Sequence, residues 1–384
     1  KVLFFVKPNL DFCAITYALF RIGAVAVFID PGMKREYFLN AIAEVKPDIL
    51  IAIAKVHWVR RIMGKHFSHI RLFISTGKIG LGKTFSLYRG LKKQPETFET
   101  YKPSEDDLAA ILYTSGGTGA PKGVEYTHDI FINQTRMLRE EFSLTKDDID
   151  IPAFPLFSFF TLAMGMKSVV PDMDPSRPSQ VNPVNLYRNI VDSKASFLAG
   201  SPAIWEKLTN YCLEHDLKLD CVKYIVMFGA PVRVDLHRKM KKILPHGTSY
   251  TPYGATECLP VSNISGESIL NDFQTKILKG DGTCVGKPLK GVTVKIIKIS
   301  EGPIHDLKTA ESLPVGEIGE IIVQSKNTTK RYFLKDEATE LSKIHDGKKV
   351  WHRMGDVGHL DSDGNLWFCG RVKHIVQIKD QIFY

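Results

Sequence analysis

Cysteines are few in this sequence and are not placed for a disulfide framework or a metal centre. Six occur among the 384 residues, and no two of them stand at metal-ligand or redox spacing. They are Cys13, Cys212, Cys221, Cys258, Cys284 and Cys369. Reduced thiols of this kind are usual in cytosolic proteins, so we predict six free cysteines and a cytoplasmic location.

Long hydrophobic runs are also absent from the sequence. A membrane-spanning helix needs about 20 consecutive apolar residues, whereas the most apolar early stretch, Val2–Ile29, is broken by Lys7, Pro8 and Asp11. The pattern of that stretch predicts strand, helix and strand rather than a signal peptide. The sequence begins at Lys1 inside a strand pattern and without Met, so we expect it to be part of a longer protein.

Aromatic residues are missing from the basic runs. The sequence carries a net charge of +9, to which runs such as Arg60–Lys65 and Lys239–Lys242 contribute. Nucleic-acid-binding segments usually combine such charge with interleaved aromatics, so we interpret these runs as solvated helix faces and expect no nucleic-acid partner. An anionic ligand or peripheral contact with a membrane surface would suit the sign of the charge.

The first half of the sequence alternates between apolar strands and amphipathic helices. The strands "VLFFV", "AVAVFID" and "DILIAI" are separated by "LDFCAITYALFRIG" and "KREYFLNAIAEVKP", which have helical spacing. This β-α-β-α-β order predicts a largely parallel sheet covered by helices. Later strands, "LAAILYT", "ASFLAG", "YIVMFGA" and "TSYTPYGATE", continue the series, with helices over 204–215 and 233–244. The predicted fold class is therefore α/β.

The texture of the sequence changes near Gly286. Short alternating strands joined by Gly, Asp and Asn turns follow, as in "VGKPLKGVTVKIIKI", "GEIGEIIVQS" and "WHRMGDVGHLDSDGNLWFCG". This pattern predicts a smaller β-rich subdomain, in which Asp361–Asn365 has the composition of a hairpin turn. We therefore divide the chain into α/β subdomains over 1–285, a β-rich subdomain over 286–370 and a final segment over 371–384.

The stretch "YTSGGTGAPKG", residues 113–123, continues directly from an apolar strand. Backbone N–H groups and hydroxyls in such a loop suit phosphate oxygens, and Lys122 adds a point charge. The loop is not a Walker A loop, because Pro121 stands where that pattern has glycine before the lysine. Composition alone does not decide between a phosphate site and a mobile surface turn.

Three further stretches carry candidate ligand-binding residues. In "YGATE", Tyr253 could stack on a purine, Thr256 could reach a phosphate, and Glu257 is a hard oxygen ligand of the kind that Mg²⁺ takes. In "MGDVG" and "CGRVKH", Asp356 could accept from two vicinal ribose hydroxyls and Arg371 could reach ribose or phosphate. Taken singly, each charged residue is more often a surface carboxylate, a salt-bridge partner or a turn residue.

Four motifs, in this order and at these separations, resemble the adenylate-forming superfamily: "ALFRIGAVAVFIDP", "YTSGGTGAPKGVEYTH", "YGATE" and "GDVGHLDSDGNLWFCGR". That superfamily includes acyl-CoA synthetases, luciferases and the adenylation domains of peptide synthetases. The resemblance covers essentially the whole chain. It implies a large N-terminal adenylation domain of layered β-α-β subdomains plus a smaller β-rich subdomain. The small C-terminal domain of the superfamily would be essentially absent, since the chain would end just past the hinge.

The resemblance also implies roles for individual residues. The loop on the ATP phosphates would be formed by Thr114, Ser115, Gly116, Gly117, Thr118, Gly119 and Lys122. The adenine pocket would be lined by Gly229, Ala230 and Pro231, and the segment Tyr253, Gly254 and Ala255 would bind the nucleotide, with the ring stacked on adenine. Thr256 would touch the α-phosphate and Glu257 would hold Mg²⁺. Asp356 and Arg371 would bind the ribose, and Lys373 would be the hinge. The predicted catalytic residues are thus Thr256, Glu257 and Lys122, with ATP and Mg²⁺ as cofactors.

A narrower resemblance is to the β-lactone synthetases of bacterial long-chain olefin biosynthesis, which activate 2-alkyl-3-hydroxy fatty acids with ATP. It is carried by "FPLFSFFTLAMGMKSVVPDMDPSRPSQVNP", "YGATECLPV", "CVGKPLKGV", "HRMGDVGHLDSDGNLWFCGR" and "KHIVQ". The first of these would supply an apolar wall for the acyl tail, although a buried core element would explain the same side chains. The candidate pocket residues are Phe157, Ser158, Phe159, Phe160 and Met164.

The sequence departs from the superfamily pattern at three places. Gly117 stands where threonine is common, and Ser158 stands where acyl-CoA synthetases often have histidine. After the hinge, Val376 and Gln377 replace the usual Ile-Lys. That lysine is associated with the thioester-forming arrangement, so its replacement counts against CoA chemistry.

These inferences predict an enzyme that activates a long-chain 2-alkyl-3-hydroxy fatty acid with ATP, releases pyrophosphate, and closes the acyl-adenylate to a β-lactone with release of AMP. The alternative is a fatty acyl-CoA synthetase, which shares the first step and needs CoA. A non-catalytic nucleotide-binding homologue is a third interpretation, against which Glu257 and Lys122 argue. The expected partners are ATP and the fatty acid, with peripheral association with a membrane or with pathway enzymes.

Overall fold

The structure is a computed structural model, and it describes residues 1–30, 32–77, 82–92, 94, 97–114, 120–378 and 381–383. The chain falls into two compact units. The first comprises residues 1–131 and 330–339, and the second comprises residues 132–329 and the remainder from 340. The first unit is therefore assembled from two separate stretches of chain.

The first unit is built on a seven-stranded sheet with the order β5-β4-β3-β1-β2-β6-β7. Its strands are β1 (Val2–Phe5), β2 (Ala26–Ile29), β3 (Ile49–Ala52), β4 (Leu72–Ser75), β5 (Phe85–Ser86), β6 (Leu108–Thr114) and β7 (Lys122–Thr127). Its helices are α1 (Leu10–Arg21), α2 (Arg35–Val45), α3 (Ala54–Ile62), α4 (Leu87–Leu91) and the start of α5 (His128–Phe142). Neighbouring strands pair in parallel, except for the antiparallel pair β6–β7.

The predicted β-α-β-α-β order of the first unit is confirmed. Each βαβ crossover needs a helix to return the chain to the same end of the sheet. Helix α1 starts where the Asn9 side chain accepts a hydrogen bond from the backbone N–H of Phe12, and it buries Phe12, Ile15 and Leu19. The strands it joins are covered on both faces, which explains why they read as continuous apolar runs without alternation.

The second unit is built on a twelve-stranded sheet with the order β15-β16-β18-β19-β14-β13-β12-β11-β10-β8-β9, to which β17 adds through β18. Its strands are β8 (Ile149–Pro152), β9 (Lys167–Ser168), β10 (Phe197–Gly200), β11 (Tyr224–Met227), β12 (Thr248–Ala255), β13 (Cys258–Ser265), β14 (Thr283–Pro288), β15 (Thr293–Ile297), β16 (Gly319–Gln324), β17 (Lys343–Asp346), β18 (Lys349–Leu360) and β19 (Leu366–Arg371). A separate hairpin is formed by β20 (Val376–Ile378) and β21 (Gln381–Phe383).

The helices of the second unit lie mostly between its parallel strands. They are α6 (Ser158–Ala163), α7 (Pro183–Ser193), α8 (Pro202–Glu214), α9 (Val234–Ile243), α10 (Gly266–Ser268), α11 (Gln274–Lys279) and α12 (Asp336–Ser342), the last of which begins within the 330–339 stretch of the first unit. The predicted helices over 204–215 and 233–244 correspond to α8 and α9. The core of this half packs around the fully buried Trp205, together with Leu186, Leu198 and Ile225.

The sheet of the second unit changes character along its width. From β9 to β12 its neighbouring strands are parallel, and from β12 to β15 they are antiparallel. The predicted β-rich region after Gly286 is confirmed as a series of antiparallel strands, and Asp361–Asn365 is the hairpin turn between β18 and β19. The α/β fold class is confirmed, whereas the division at residue 285 stays a prediction.

The six cysteines were predicted to be free, and no hydrophobic run in the sequence was long enough to predict a membrane-spanning helix. All six cysteines are free thiols in the structure. Within the part of the chain that is described, no helix combines the length and the apolar character needed to cross a bilayer.

Asp150 is a carboxyl group buried in the second unit. It lies on β8 with no exposed surface, accepts a hydrogen bond from Thr161 Oγ1 at 2.6 Å, and has a weaker contact to Ser168 Oγ at 3.4 Å. Its other oxygen, Oδ1, has no hydrogen-bond partner among the described residues. Burial raises the pKa of Asp150 to about 7, because the ionised form loses its hydration.

We expect Asp150 to make the protein less stable as pH rises from about 4 to about 7. In this window the unfolded carboxyl, with a pKa of about 3.9, has lost its proton while the folded one retains it, so folding costs about 2–4 kcal/mol more at the upper end. Asp150→Asn should flatten this pH dependence, and the exposed Asp192→Asn on α7 should not. The pH dependence of stability is measured by urea unfolding midpoints between pH 4 and 8. If the midpoints of D150N and the wild type change with pH in parallel, the role given to Asp150 is contradicted.

Candidate nucleotide site

Two neighbouring parallel strands of the second unit end in predicted ligand-binding residues. Strand β11 is followed by the exposed residues Gly229, Ala230 and Pro231, and β12 ends at Tyr253–Ala255. The register pairs Val226 with Tyr250, so the two segments leave the sheet side by side. Ligands of open α/β sheets bind outside the carboxyl ends of parallel strands, which is where these residues lie.

Thr256 and Glu257 form the two-residue turn of the hairpin between β12 and β13. Ala255 pairs with Cys258 across this turn, so the two side chains stand at the tip of the hairpin. Gly254 allows the strands to approach, because a Cβ there would lie 2.9 Å from the Cys258 carbonyl oxygen. The motif "YGATE" is therefore a strand end, a close approach and a tight turn in succession.

The segment 325–329, which is buried except at Lys326, supports this turn within the second unit. The Thr329 N–H donates to the Glu257 carbonyl oxygen at 2.8 Å, and Thr328 Oγ1 donates to Cys258 Sγ at 3.4 Å. The Asn327 side-chain amide donates to the Leu259 carbonyl oxygen at 3.3 Å. The backbone that carries Glu257 is thus fixed from behind, which preorganises its carboxylate for a ligand.

Tyr253, Asp356 and Arg371 come together in the structure. The Tyr253 hydroxyl donates to Asp356 Oδ2 at 2.7 Å. Arg371 Nη1 lies 2.9 Å from Asp356 Oδ1 as an ion pair. Asp356 and Arg371 are direct cross-strand partners on β18 and β19, so they face each other because of the strand register and not by chance proximity.

A bulge in β18 aims the Asp356 side chain. Glu320 of β16 pairs with Val357 of β18, and Ile322 pairs with Arg353. Two residues along β16 therefore span four residues along β18. Gly355 lies inside this irregular stretch with φ +66°, a left-handed conformation that glycine adopts without strain. Bulges commonly redirect a side chain beside a functional site, and this one turns the carboxylate of the next residue toward Tyr253.

The ribose-binding role of Asp356 stays a prediction, and the surroundings of its carboxylate are compatible with that role. It is 3% exposed, and its Oδ1 atom pairs with Arg371 without satisfying hydrogen-bond geometry, which leaves that oxygen able to accept from a hydroxyl. Burial raises the pKa of Asp356, while the Tyr253 hydroxyl and Arg371 oppose that shift. Burial and the nearby Asp356 also raise the pKa of Tyr253, so Tyr253 remains a hydrogen-bond donor at neutral pH.

Glu257 offers the chemistry of a magnesium ligand. Its half-buried carboxylate is a hard oxygen donor beside the Thr256 hydroxyl, and its backbone is fixed by Thr329. Among the described residues no three His, Cys, Asp or Glu side chains gather into a metal-binding group. Mg²⁺ often takes one or two carboxylates plus substrate phosphates and water, and Glu257 would serve as the protein ligand in that arrangement.

The predicted phosphate loop belongs to the first unit. Its residues Ser115–Gly119 lie outside the described residues, but the strands on either side are described: Thr114 at the end of β6 pairs with Lys122 at the start of β7. The Lys122 ammonium lies over the Tyr332 ring, 4.7 Å from its centroid. Tyr332 itself forms an antiparallel bridge with Val124 of β7, so residues 330–339 contribute to the surroundings of Lys122.

The predicted acyl pocket and hinge are placed differently with respect to solvent. Ser158, Phe159, Phe160 and Met164 are buried in and beside α6, and Phe157 is buried in the 3-10 turn before it. The Phe157 ring stacks on those of Phe197 and Phe228, and Ser158 Oγ donates to the Pro155 carbonyl oxygen. Lys373 is exposed in a 3-10 turn. Their roles in the pocket and the hinge stay predictions.

Sequence reasoning missed two buried charged groups near these residues. One is Lys343, which donates to Thr329 Oγ1 at 3.1 Å. The other is the pair Glu320 of β16 and Arg353 of β18, in which Arg353 Nη2 donates to Glu320 Oε2 at 2.6 Å. A charged residue inside a short alternating strand normally indicates a solvated face, so no local signal in the sequence identified either group.

The candidate nucleotide site thus consists of the exposed turn after β11, the buried carboxylate of Asp356 and the carboxylate of Glu257. Residues 1–333 match the model of the family described as AMP-binding enzyme. The chain belongs to this family and is an AMP-forming ligase of the acyl-adenylate type.

Individual relatives narrow the resemblance. The chain is 39% identical to an olefin beta-lactone synthetase of Stenotrophomonas maltophilia over 97% of its own length and 67% of that protein. It is 37% identical to the olefin beta-lactone synthetase of Xanthomonas campestris pv. campestris over 98% of its length and 68% of that protein. Its fold matches O-succinylbenzoate coenzyme A synthetase of Bacillus subtilis, solved with ATP and magnesium, with a TM-score of 0.78, 20% identity, and coverage of 100% of this chain and 72% of that one.

Proposed function

We propose that this protein activates a long-chain 2-alkyl-3-hydroxy fatty acid with ATP and closes the resulting acyl-adenylate to a β-lactone. The observation that carries the proposal is the similarity to two olefin beta-lactone synthetases at 39% and 37% identity over nearly the whole chain. The site in the second unit supports the first half of the reaction, because Tyr253, Asp356 and Arg371 form a group suited to a ribose.

In the first step a carboxylate oxygen of the fatty acid attacks the α-phosphorus of ATP. The bond between that phosphorus and the bridging oxygen breaks, and pyrophosphate leaves with the electron pair. Thr256 is proposed to donate to the α-phosphate, and the phosphate loop with Lys122 keeps the role that the resemblance implies. Mg²⁺ held by Glu257 would supply Lewis-acid stabilisation of the charge that develops on the phosphates.

In the second step the 3-hydroxyl oxygen of the same substrate attacks the acyl carbon. The bond from that carbon to the AMP oxygen breaks, AMP leaves, and the hydroxyl proton is released. The four-membered ring is strained, but the hydroxyl is tethered to the carbonyl and the attack has a high effective molarity. No second substrate is needed, so water exclusion and a fixed acyl chain are what the protein must provide.

The acyl tail is proposed to run against the apolar side chains of α6 and the turn before it. The rings of Phe157 and Phe160 meet edge to face, with 5.7 Å between their centroids, and both side chains are nearly buried. A wall of packed aromatic rings keeps its shape while an apolar chain lies on it. Ser158 is a polar side chain of this segment, and its hydroxyl donates to the Pro155 carbonyl oxygen.

The alternative function is a fatty acyl-CoA synthetase, which shares the adenylation step and is favoured by the fold match to a coenzyme A synthetase. Exchange of labelled pyrophosphate into ATP tests that shared step. We expect exchange with both a 2-alkyl-3-hydroxy acid and its 3-deoxy analogue, but net AMP formation without CoA only from the 3-hydroxy acid. AMP formation that requires CoA for both acids would contradict the lactone proposal.

We expect Asp356→Asn to weaken ATP binding about tenfold to a hundredfold, because a charged acceptor of ribose hydroxyls is worth about 1.5–3 kcal/mol. Replacing ATP with 3′-deoxy-ATP should weaken binding to the wild type and have little further effect on D356N. Asp363→Asn, in the exposed turn of the same hairpin, is the matched control and should bind ATP normally. Calorimetric titration measures the binding of ATP and of 3′-deoxy-ATP to the wild type and to D356N. If 3′-deoxy-ATP binds more weakly than ATP by the same factor in both proteins, the ribose role of Asp356 is contradicted.

A further inference from the structure

Lys343 is the only buried lysine among the described residues. It stands at the start of β17, pairs with His352 of β18, and is 2% exposed. Taking an ammonium group out of water costs several kcal/mol unless nearby groups offset the loss. A buried lysine that is retained at such a cost therefore calls for an explanation in terms of its neighbours.

Those neighbours lie at the turn that carries Glu257. Thr329 connects the two: its hydroxyl accepts from Lys343 Nζ at 3.1 Å, and its N–H donates to the Glu257 carbonyl oxygen at 2.8 Å. Burial lowers the pKa of Lys343 to about 8, and the Glu257 carboxylate acts in the opposite direction. The contacts of Thr329 therefore place the Lys343 ammonium behind the turn that carries Glu257.

A positive charge behind a metal ligand competes with the metal. Glu257 is one carboxylate, and a divalent ion approaching it in the absence of nucleotide would be repelled by the charge of Lys343, which is buried behind the same turn. A triphosphate brings several negative charges of its own and would outweigh this repulsion. The affinity of Glu257 for a divalent ion would therefore depend on whether the nucleotide is present.

We propose that Lys343 is a positioning residue that neutralises Glu257 in the free protein, so that the divalent ion is admitted together with the nucleotide and not before it. This inference rests on the proposed use of Mg-ATP. It differs from the assignment of Glu257 as a ligand, because it explains why a single carboxylate should hold the ion only when the phosphates are there to share it.

The test is the binding of Mn²⁺, followed by electron paramagnetic resonance on the full-length protein without nucleotide. We expect Lys343→Met to tighten Mn²⁺ binding about tenfold, the order expected for removing one nearby unit charge in a partly buried site. The tightening should be much smaller with an ATP analogue present. Lys349→Met, an exposed position on the same β17–β18 hairpin, should leave Mn²⁺ binding unchanged. Unchanged or weaker nucleotide-free binding in K343M would overturn the proposal.

Two further variants separate this effect from a change in packing. Lys343→Gln keeps a donor for Thr329 while removing the charge, so it should tighten Mn²⁺ binding as K343M does and replaces it if K343M does not fold. Adding Glu257→Gln to either variant should abolish the gain, and a gain that persists would overturn the proposal. Because Mn²⁺ binding requires no turnover, loss of AMP formation would count against the proposed function alone.

Discussion

Replacing Glu257 with glutamine is expected to slow AMP formation at least about a hundredfold at saturating ATP. Removing one preorganised group that stabilises developing charge costs about 3–4 kcal/mol in transition-state stabilisation, and a metal ligand contributes comparably. The amide keeps the shape of the hairpin tip, because Glu257 is fixed through its backbone by Thr329 and not through its carboxylate alone. Pyrophosphate exchange and AMP release both measure the effect.

The control for this prediction is Glu301→Gln, which changes an exposed glutamate of the same unit and should retain full activity. Circular dichroism and the urea midpoint of E257Q should match those of the wild type. The loss of activity expected for such a group is on the order of a hundredfold. An E257Q protein that keeps more than about a third of wild-type activity would therefore contradict the assignment of Glu257 as the magnesium ligand. It would also contradict the proposed role of Lys343.

Replacing Arg353 with methionine is expected to destabilise the protein by about 3–5 kcal/mol, because it leaves the Glu320 carboxylate buried without its partner. Arg353 donates from Nε and Nη2 to Glu320 and from its guanidinium to the carbonyl oxygens of Ser300, Gly302 and Leu341. Both side chains are less than a tenth exposed. The urea midpoint of the unfolding transition measures the loss.

The double variant with Glu320→Gln provides the matched control for Arg353→Met. Removing the charge of Glu320 together with that of Arg353 should recover a large part of the lost stability, since the main penalty is an unpaired buried charge. Lys295→Met, on the neighbouring β15 and outside this network, should leave the midpoint almost unchanged. Additive losses for Arg353 and Glu320 would show that packing, and not charge pairing, sets the stability of this region.

Much of the fold could be read from the sequence because its strands are short apolar runs bounded by Gly and Pro. The strand ending at Thr114 and the helices over 202–214 and 234–243 agree with prediction to within a few residues. The motifs "YGATE", "MGDVG" and "CGRVKH" could be located by their glycines, but the structure places Tyr253, Asp356 and Arg371 within β12, β18 and β19 and not after them. Their convergence could be expected from the resemblance, but the register that pairs Asp356 with Arg371 could not.

Buried charge was the part that the sequence did not reveal. Lys343 lies in "LSKIHDG" and Arg353 in "WHRMGD", where a basic residue normally indicates a solvated face of a strand. Their burial depends on segments distant in the chain, such as the loop over 325–329 and the carbonyl groups near residue 301. The bulge at Gly355 could not be predicted from the sequence either, because it results from the register of β16 against β18.

The product of the complete reaction tests the central claim most directly. The full-length protein would be incubated with Mg-ATP and a 2-alkyl-3-hydroxy fatty acid, with and without CoA, and the products identified by mass spectrometry. The account predicts a β-lactone and AMP without CoA, and no lactone from the 3-deoxy acid. A thioester formed only when CoA is present would contradict it and identify an acyl-CoA synthetase.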